Sequence, residues 1–413
     1  MFKNFLNYSL FSVINSALLF INGVLLAKYT SIEMFGLIAF YQVLIIGLSQ
    51  LISWNTLGLV PVTLSGSIQL DFKRYQKNVH YLMVVTSIFI FLILIALNLL
   101  NYYNTTLPLL LLLLVLFVSS NDINNSMLVG LGYSFNYGLA LFITRIFQAT
   151  FIFITGVNNL LNIESWLIII IISELLSLLY RRNFSLFNLF ENTKELFDAL
   201  KGSTLRFIIT YGLKYLPILL FGYLYQYADR YVMKTLMSPS ELGLFSYALL
   251  LSSSVSIFAT SVLNVFVPYI YKNELISSRK ILRSSFKINI IAGIIIIIIF
   301  ESLLPLISDL VGKPEIKNLS GIFLLTSVGA MFQGSYKIIG ALLDANILYW
   351  QKFCSFFLAS AVNIATLYLF FFFSNANVFT FSIAYLMGNF SLLLVSLFYI
   401  LQHLNRKDKV FLP

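Results

Sequence analysis

Long apolar segments alternate with short polar ones along the whole chain, and the apolar segments are long enough to cross a membrane. A membrane-spanning helix needs about 20 mostly apolar residues. At that length the pattern predicts twelve helical spans, and therefore an all-α integral membrane protein. The predicted spans are 8–28, 36–58, 80–100, 107–131, 136–157, 163–180, 207–233, 243–270, 286–307, 319–343, 346–373 and 378–402.

The longest break in this pattern divides the chain into two halves of six spans each. We predict an N-terminal lobe at 1–180, a cytoplasmic linker at 181–206 and a C-terminal lobe at 207–413 that ends in a short basic tail. The linker is either an amphipathic helix that lies on the inner leaflet or a polar spacer between the lobes.

The two halves also repeat each other in sequence. Gly36 and Gly243 are 207 residues apart, and Pro61 and Pro268 have the same spacing. Because each half has an even number of spans, both copies enter the membrane in the same direction. The repeat therefore predicts two six-helix lobes related by a pseudo-two-fold axis along the membrane normal, an arrangement found in transporters.

Composition excludes the functions of a soluble protein. Of the 413 residues, 59% are apolar and only 10% are charged, against roughly 45–50% and about 25% in soluble domains. One cysteine cannot form an internal disulfide, and two histidines do not suggest a metal cluster. The basic residues lie between apolar spans rather than on a soluble face, so we expect no nucleic-acid partner.

The basic residues are distributed unequally between the two sides of the membrane. Seventeen Lys and Arg residues lie in the loops on the side of the termini, and four lie in the opposite loops. Basic residues are retained in the cytoplasm. The distribution therefore predicts that both termini are cytoplasmic.

Charged residues inside the spans are the candidate functional groups, because a charge near the bilayer centre costs at least about 2.5–3.5 kcal/mol. Three of the cations are predicted in the inner half of a cavity, where they suit a phosphate or carboxylate group. The candidate residues for substrate binding are Arg145, Lys214, Arg230, Lys337, Lys352, Tyr211, Tyr215 and Gln226. The candidate residues for a coupling ion are Asp229, Asp122 and Glu174.

Structural explanations stay open for some of these charges. Asp229 and Arg230 are adjacent and could form an ion pair at a helix end. Lys337 and Lys352 lie close enough to the inner interface for their ammonium groups to reach it.

Two similar lobes around a cationic cavity indicate a transporter. We find no paired carboxylates on an accessible loop, no Gly-rich phosphate loop and no His-based site, so neither an enzyme nor a bound cofactor or metal is expected. A multidrug/cation antiporter is the first alternative, and it predicts carboxylates at the cavity centre. A membrane glycosyltransferase or polysaccharide polymerase is the second, and it predicts a long outside loop with catalytic residues.

Several segments resemble a known family. Segment 27–37 (Ala-Lys-Tyr-Thr-Ser-Ile-Glu-Met-Phe-Gly-Leu) is similar to the first-loop signature of Wzx-type O-antigen and polysaccharide flippases. Segments 227–233, 242–247 and 268–271 are similar to the signature of their seventh and eighth helices. This family is the polysaccharide branch of the multidrug/oligosaccharidyl-lipid/polysaccharide (MOP) exporter superfamily.

The resemblance implies a flippase in the bacterial inner membrane. It implies that an undecaprenyl-diphosphate-linked oligosaccharide, an O-antigen or capsule repeat unit, moves from the inner to the outer leaflet by alternating access. It also implies coupling to a Na⁺ or H⁺ gradient, and other polysaccharide assembly proteins as partners.

The predicted orientation can be tested by labelling single cysteines in a Cys354→Ser background. Cysteines introduced at Asn104 and Asn375 should react with a membrane-impermeant thiol reagent in whole cells, because both positions lie in predicted outside loops. A cysteine at Lys194 should react only after the cells are opened. Labelling of position 194 in intact cells would reverse the orientation.

Overall fold

The computed structural model describes residues 2–53, 78–79, 81–89, 92, 106–130, 134–180, 203–271, 275–346, 348–373 and 377–410. All the regular elements within these ranges are helical, which confirms the all-α prediction. The α-helices are α1 (Phe2–Tyr29), α2 (Ile32–Ile52), α3 (Thr106–Gly130), α4 (Ser134–Val157), α5 (Ile163–Tyr180), α6 (Ser203–Leu236), α7 (Pro239–Tyr271), α8 (Leu275–Val311), α9 (Ser320–Ala345), α10 (Tyr349–Phe373) and α11 (Val378–Val410). A 3₁₀-helix, Pro314–Leu319, precedes α9.

Nine helices in the described part of the chain are long and apolar enough to cross a membrane. Residues 14–29 of α1 and 109–125 of α3 form shorter apolar stretches. The predicted third span is described only in part, and residues 81–89 within it are helical. Trp54, Asn55, Pro61 and residues 181–202 of the predicted linker lie outside the described residues.

Helix α8 begins eleven residues before the span predicted at 286–307. The added turns contain the basic residues that the sequence pattern assigns to a loop. They form an amphipathic extension, because Ile281 and Leu282 are buried while Lys280 and Arg283 are exposed. A hydropathy window misses such an extension, since its charges lower the mean although one face is apolar.

The chain divides into two compact units. One contains residues 1–22 and 41–219, and the other contains residues 23–40 and 220–413. The C-terminal end of α1 and the first part of α2 are therefore grouped with the C-terminal half. The boundary within α6 falls two residues after Pro217, which interrupts the backbone hydrogen bonds of that helix.

Helices within each unit are joined by small and hydroxylated side chains. In the second unit the Ser252 hydroxyl lies 2.6 Å from the Thr326 hydroxyl and 3.0 Å from that of Ser327, which joins α7 to α9. The outward face of α8 instead carries exposed isoleucines, among them Ile291, Ile295 and Ile298. This distribution suits a lipid environment, where helices associate by close packing and hydrogen bonds while apolar side chains face the acyl chains.

The two repeat-related glycines meet in the second unit. A Cβ atom on Gly36 would lie 2.6 Å from the Gly243 nitrogen, and one on Gly243 would overlap the carbonyl oxygen of Ile32. Backbone therefore contacts backbone where α2 and α7 begin. The rings of Phe35 and Tyr247 pack edge to face beside this contact, with their centroids 5.8 Å apart.

We expect Gly243→Ala to lower the thermal stability of the purified protein, because the added methyl group meets rigid backbone. Overpacking of this kind costs about 1–3 kcal/mol. Gly222→Ala is the matched control, since its Cβ would lie 3.6 Å from the Phe356 ring, an ordinary contact. Size-exclusion chromatography after a heat step measures both variants. Equal stability of the two would show that the glycine contact tolerates a side chain.

Candidate substrate and ion site

Arg145 lies at the middle of α4, in the first unit. At 1.5 Å per residue its Cα is about 17 Å from either end of the helix. Its side chain is half-buried. This depth is beyond the easy reach of a snorkelling side chain, so the guanidinium must be accommodated by the protein or by a ligand.

A chain of amide and hydroxyl groups holds this guanidinium. Arg145 Nη1 donates to Gln148 Oε1 at 2.9 Å, and Gln148 Nε2 donates to Ser173 Oγ on α5 at 2.8 Å. Asn22 Nδ2 on α1 donates to the same Gln148 oxygen at 3.3 Å and to the Arg145 carbonyl oxygen at 3.2 Å. Three helices thereby hold one cation.

The charge of Arg145 is not neutralised by its described neighbours. Among the residues that the structure describes, no carboxylate lies within 4.0 Å of its guanidinium. Arginine has five N–H donors, and the one hydrogen bond to Gln148 leaves the others available. The arrangement can therefore bind an anion.

The candidate residues on α6, the predicted seventh span, include both buried and exposed side chains. Lys214 is exposed and makes no hydrogen bond or ion pair with the described residues, whereas Tyr215 is buried. Gln226 is half-buried, and the side chain of Tyr211 lies outside the described part of the structure. Lys214 belongs to the first unit, as Arg145 does, and Gln226 belongs to the second.

Asp229 is fully buried in the second unit, with 0% of its surface exposed. Its Oδ1 atom accepts a hydrogen bond from the backbone N–H of Arg230 at 2.7 Å, and its Oδ2 atom has no hydrogen-bond partner. The Arg230 guanidinium lies over the Tyr227 ring, 5.1 Å from its centroid. The described side chains of Asp229 and Arg230 are not within ion-pair distance of each other.

Two asparagines of the second unit contact α6 one turn before Asp229. Asn389 Oδ1 accepts a hydrogen bond from the Tyr225 hydroxyl, and Asn363 Nδ2 donates to the Tyr225 carbonyl oxygen at 3.4 Å. The Oδ1 atom of Asn363 is buried and has no hydrogen-bond partner. This region of the unit therefore contains a buried carboxylate oxygen that can accept a proton or a cation, and a buried amide oxygen that can coordinate a cation.

The other predicted cations are held in two different ways. Lys337 Nζ donates to the hydroxyls of Ser256 at 2.8 Å and Thr260 at 2.7 Å. Lys352 Nζ lies 2.7 Å from both carboxylate oxygens of Asp344. Lys352 is thus neutralised by an ion pair, whereas Lys337 is solvated by hydroxyl groups.

The remaining acidic candidates lie in the first unit and are half-buried. Glu174 Oε2 accepts a hydrogen bond from Asn121 Nδ2 at 2.7 Å, and the same amide donates to the Glu174 carbonyl oxygen at 2.9 Å. Asp122 follows Asn121 on α3. Asp122 and Glu174 therefore belong to a different unit of the chain from Asp229.

Sequence reasoning does not single out Gln148, Ser173 or Asn121. Gln148 and Asn121 each contact a predicted site residue, and Ser173 contacts Gln148. For Gln148 the sequence does contain a local signal. Gln148 is polar within an apolar span and follows Arg145 by one helical turn. The contacts of Ser173 and Asn121 depend on which helices pack together, and the sequence pattern does not supply that.

Solved transporters match nearly the whole chain. The lipid II flippase MurJ, in an inward closed conformation, matches with a TM-score of 0.71 at 16% identity, over 95% of this chain and 87% of its own. An inward-facing multidrug resistance MATE family transporter of the MOP superfamily matches with a TM-score of 0.63 at 12% identity, over 96% of each chain. This chain has the fold of these two proteins. An outward-facing MATE transporter matches with a TM-score of 0.64 at 13% identity, over 98% of this chain and 96% of its own.

No family model matches the sequence, and no curated protein matches it. The shared fold confirms the predicted two-lobe, all-helical membrane fold. At identities of 12–16%, the likeness establishes the fold. The transported molecule has to be inferred from the side chains of the site.

Proposed function

We propose that this chain is a flippase that moves an undecaprenyl-diphosphate-linked oligosaccharide from the inner to the outer leaflet of a bacterial inner membrane by alternating access. The observation that carries the proposal is Arg145, a mid-span guanidinium that no described carboxylate neutralises. A charge at this depth is a functional group by default. The fold shared with the lipid II flippase MurJ and the resemblance to Wzx-type flippases support the same substrate class.

The chemistry of the headgroup fits the cations of the first unit. A guanidinium can bind two phosphate oxygens at once through parallel N–H donors, which favours a diphosphate over a singly charged headgroup. Lys214 is exposed and free to add a second, more mobile positive charge. Arg145 would fix the diphosphate, and Lys214 would increase its local concentration.

The remaining groups of the substrate require different surroundings. Sugar hydroxyls need hydrogen-bonding side chains, and the half-buried Gln226 on α6 is the candidate for this role. The polyprenyl tail stays in the acyl chains of the bilayer. In this proposal both termini are cytoplasmic, and other polysaccharide assembly proteins supply and consume the saccharide.

Energy would come from a Na⁺ or H⁺ gradient that acts on Asp229. A fully buried carboxylate is costly when ionised and unpaired. Binding of a proton or Na⁺ at the free Oδ2 atom removes that cost. Asp229 is a better candidate than Glu174, because an amide of Asn121 already solvates the Glu174 carboxylate.

A multidrug/cation antiporter is the second candidate function. It is favoured by the MATE transporters among the matching structures and by the buried carboxylate of Asp229. The sign of the charge on Arg145 argues against it, because a cationic drug would be repelled from the mid-span depth of the first unit. Variants of Arg145 therefore distinguish the two functions.

We expect Arg145→Gln to reduce flipping by about 10- to 100-fold, since it removes charge-assisted hydrogen bonds worth about 1.5–3 kcal/mol. Lys214→Gln should reduce it less, and Lys214→Arg should retain more activity than Lys214→Gln, because both cations attract the headgroup. The measurement is complementation of a deletion strain at native expression, with the lipid-linked saccharide that accumulates on the inner leaflet identified by mass spectrometry.

Membrane levels of these variants should stay near normal, because uncharged side chains insert more easily than charged ones. Lys317→Gln is the control, since Lys317 is exposed and paired with Asp309 outside the predicted spans. Full complementation by Arg145→Gln and Lys214→Gln, with drug efflux by the wild type, would support the antiporter instead.

Coupling can be separated from structural pairing by changing both residues of the Asp229–Arg230 pair. Asp229→Asn alone should abolish gradient-driven transport. The double change with Arg230→Gln should not restore it, because the guanidinium lies over Tyr227 and the carboxylate is bonded by backbone. Arg230→Gln alone should keep transport within a few-fold of wild type, about the effect of one exposed cation–π contact.

Recovery of transport in the double variant would show that Asp229 only neutralises Arg230. Binding of undecaprenyl diphosphate to the purified variants is a second measurement. It should be unchanged by Asp229→Asn, because coupling and headgroup binding use different units of the chain. A loss of binding in that variant would place Asp229 in the headgroup site.

A further inference from the structure

Gln148 is the central member of the hydrogen-bonded chain around Arg145, although its side chain carries no charge. Only 4% of its surface is exposed. It lies one turn after Arg145 on α4 and contacts a residue on α1 and another on α5. A buried amide in an apolar span is costly unless its polar atoms are bonded, and here both of them are.

The donors and acceptors in this chain can be arranged in only one way. Arginine only donates, so the Gln148 atom that faces Arg145 must be its oxygen. The Gln148 nitrogen then faces Ser173, whose hydroxyl in turn donates to the Ile170 carbonyl oxygen at 2.8 Å. The amide is therefore held at both ends, and it cannot flip without losing the bond to the guanidinium.

We propose that Gln148 is the positioning residue for Arg145. It fixes the guanidinium at the depth of the headgroup and, as an amide, leaves the positive charge uncompensated. A carboxylate at this position would accept the same hydrogen bond but neutralise the cation. This inference rests on the proposed function, because it takes the anionic headgroup as the ligand of Arg145.

The contrast with Lys352 shows what a carboxylate partner does. Both carboxylate oxygens of Asp344 lie 2.7 Å from the Lys352 ammonium nitrogen. The resulting ion pair has no net charge and does not attract an anionic ligand. Gln148 instead contributes one hydrogen-bond acceptor, its Oε1 atom, 2.9 Å from Arg145 Nη1, and it carries no charge. Asn22 supports the geometry further, since it bonds both the Gln148 oxygen and the backbone of Arg145.

A double-mutant cycle on the purified full-length protein tests this role. Native mass spectrometry would measure binding of undecaprenyl diphosphate to wild type, Gln148→Met, Arg145→Gln and the double variant. Undecaprenol, which lacks the diphosphate, is the ligand control. Gln402→Met is the matched substitution control, because Gln402 is exposed on α11.

Gln148→Met should weaken diphosphate binding by about tenfold, the effect of losing one hydrogen bond to a charged group. In the Arg145→Gln background the same change should have no further effect, because Gln148 acts through Arg145. Ser173→Ala should weaken binding by a smaller factor, since it releases only the far end of the amide. Undecaprenol binding should be equal in all variants.

Gln148→Glu distinguishes positioning of a charged group from simple packing. This substitution keeps the size of the side chain and its acceptor for Arg145, so a packing role predicts full binding. We instead expect binding to fall as far as it does in Arg145→Gln, with thermal stability retained, because the new carboxylate neutralises the guanidinium.

Four outcomes would overturn the inference. Equal losses from Gln148→Met with and without Arg145 would show a structural effect that is independent of the cation. Full binding by Gln148→Glu would show that the charge of Arg145 is not used. If Arg145→Gln binds normally, the proposed headgroup site fails and the role of Gln148 fails with it, whereas loss of binding only in Arg145→Gln refutes Gln148 alone.

Discussion

The free energy required to keep a charge in hydrocarbon constrains which side chains surround each basic residue within the spans of this protein. The partners that lower this free energy differ from one basic residue to the next. Asp344 neutralises Lys352, two hydroxyls solvate Lys337, and the amide of Gln148 holds Arg145. Only the first of these supplies an opposite charge. The guanidinium of Arg145 is kept in the membrane at the expense of stability, which a protein tolerates where the charge has a use.

The same constraint acts on the helices themselves. Serine and threonine hydroxyls in the spans mostly bond backbone carbonyls of the preceding turn, as Ser285 does with Ile281 and Thr144 with Ala140. Such bonds satisfy the hydroxyl without a second helix. Other polar atoms cross between helices, some in packing contacts such as Ser252 with Thr326. Others lie around the candidate site, as Asn22 with Gln148 and Gln148 with Ser173 do.

The sequence predicts the helical class and most spans, because every segment of about 20 apolar residues must satisfy its backbone internally. It misses the first turns of α8, where charges alternate with buried Ile281 and Leu282. It also identifies Arg145 and Asp229 from the cost of their charges alone. It cannot show that Asn22 and Gln148, 126 residues apart, share a hydrogen bond, since periodicity describes one helix and not its neighbours. Asp229 and Arg230 are neighbours in sequence, but this does not show that the Arg230 guanidinium lies over the Tyr227 ring and not against the Asp229 carboxylate.

A transporter must release what it binds, and this requirement explains why an amide suits Arg145 better than either alternative partner. A carboxylate would occupy the cation and leave no site, as at Lys352. An apolar neighbour would leave the guanidinium mobile, and the ordering of that long side chain would weaken binding. The amide orients the guanidinium without neutralising its charge. The side chain of Arg145 is half-buried and therefore remains partly accessible. In the proposed flippase, binding has to be strong enough to draw a diphosphate to mid-span depth and weak enough to let it leave, which is the balance that movement through a membrane demands.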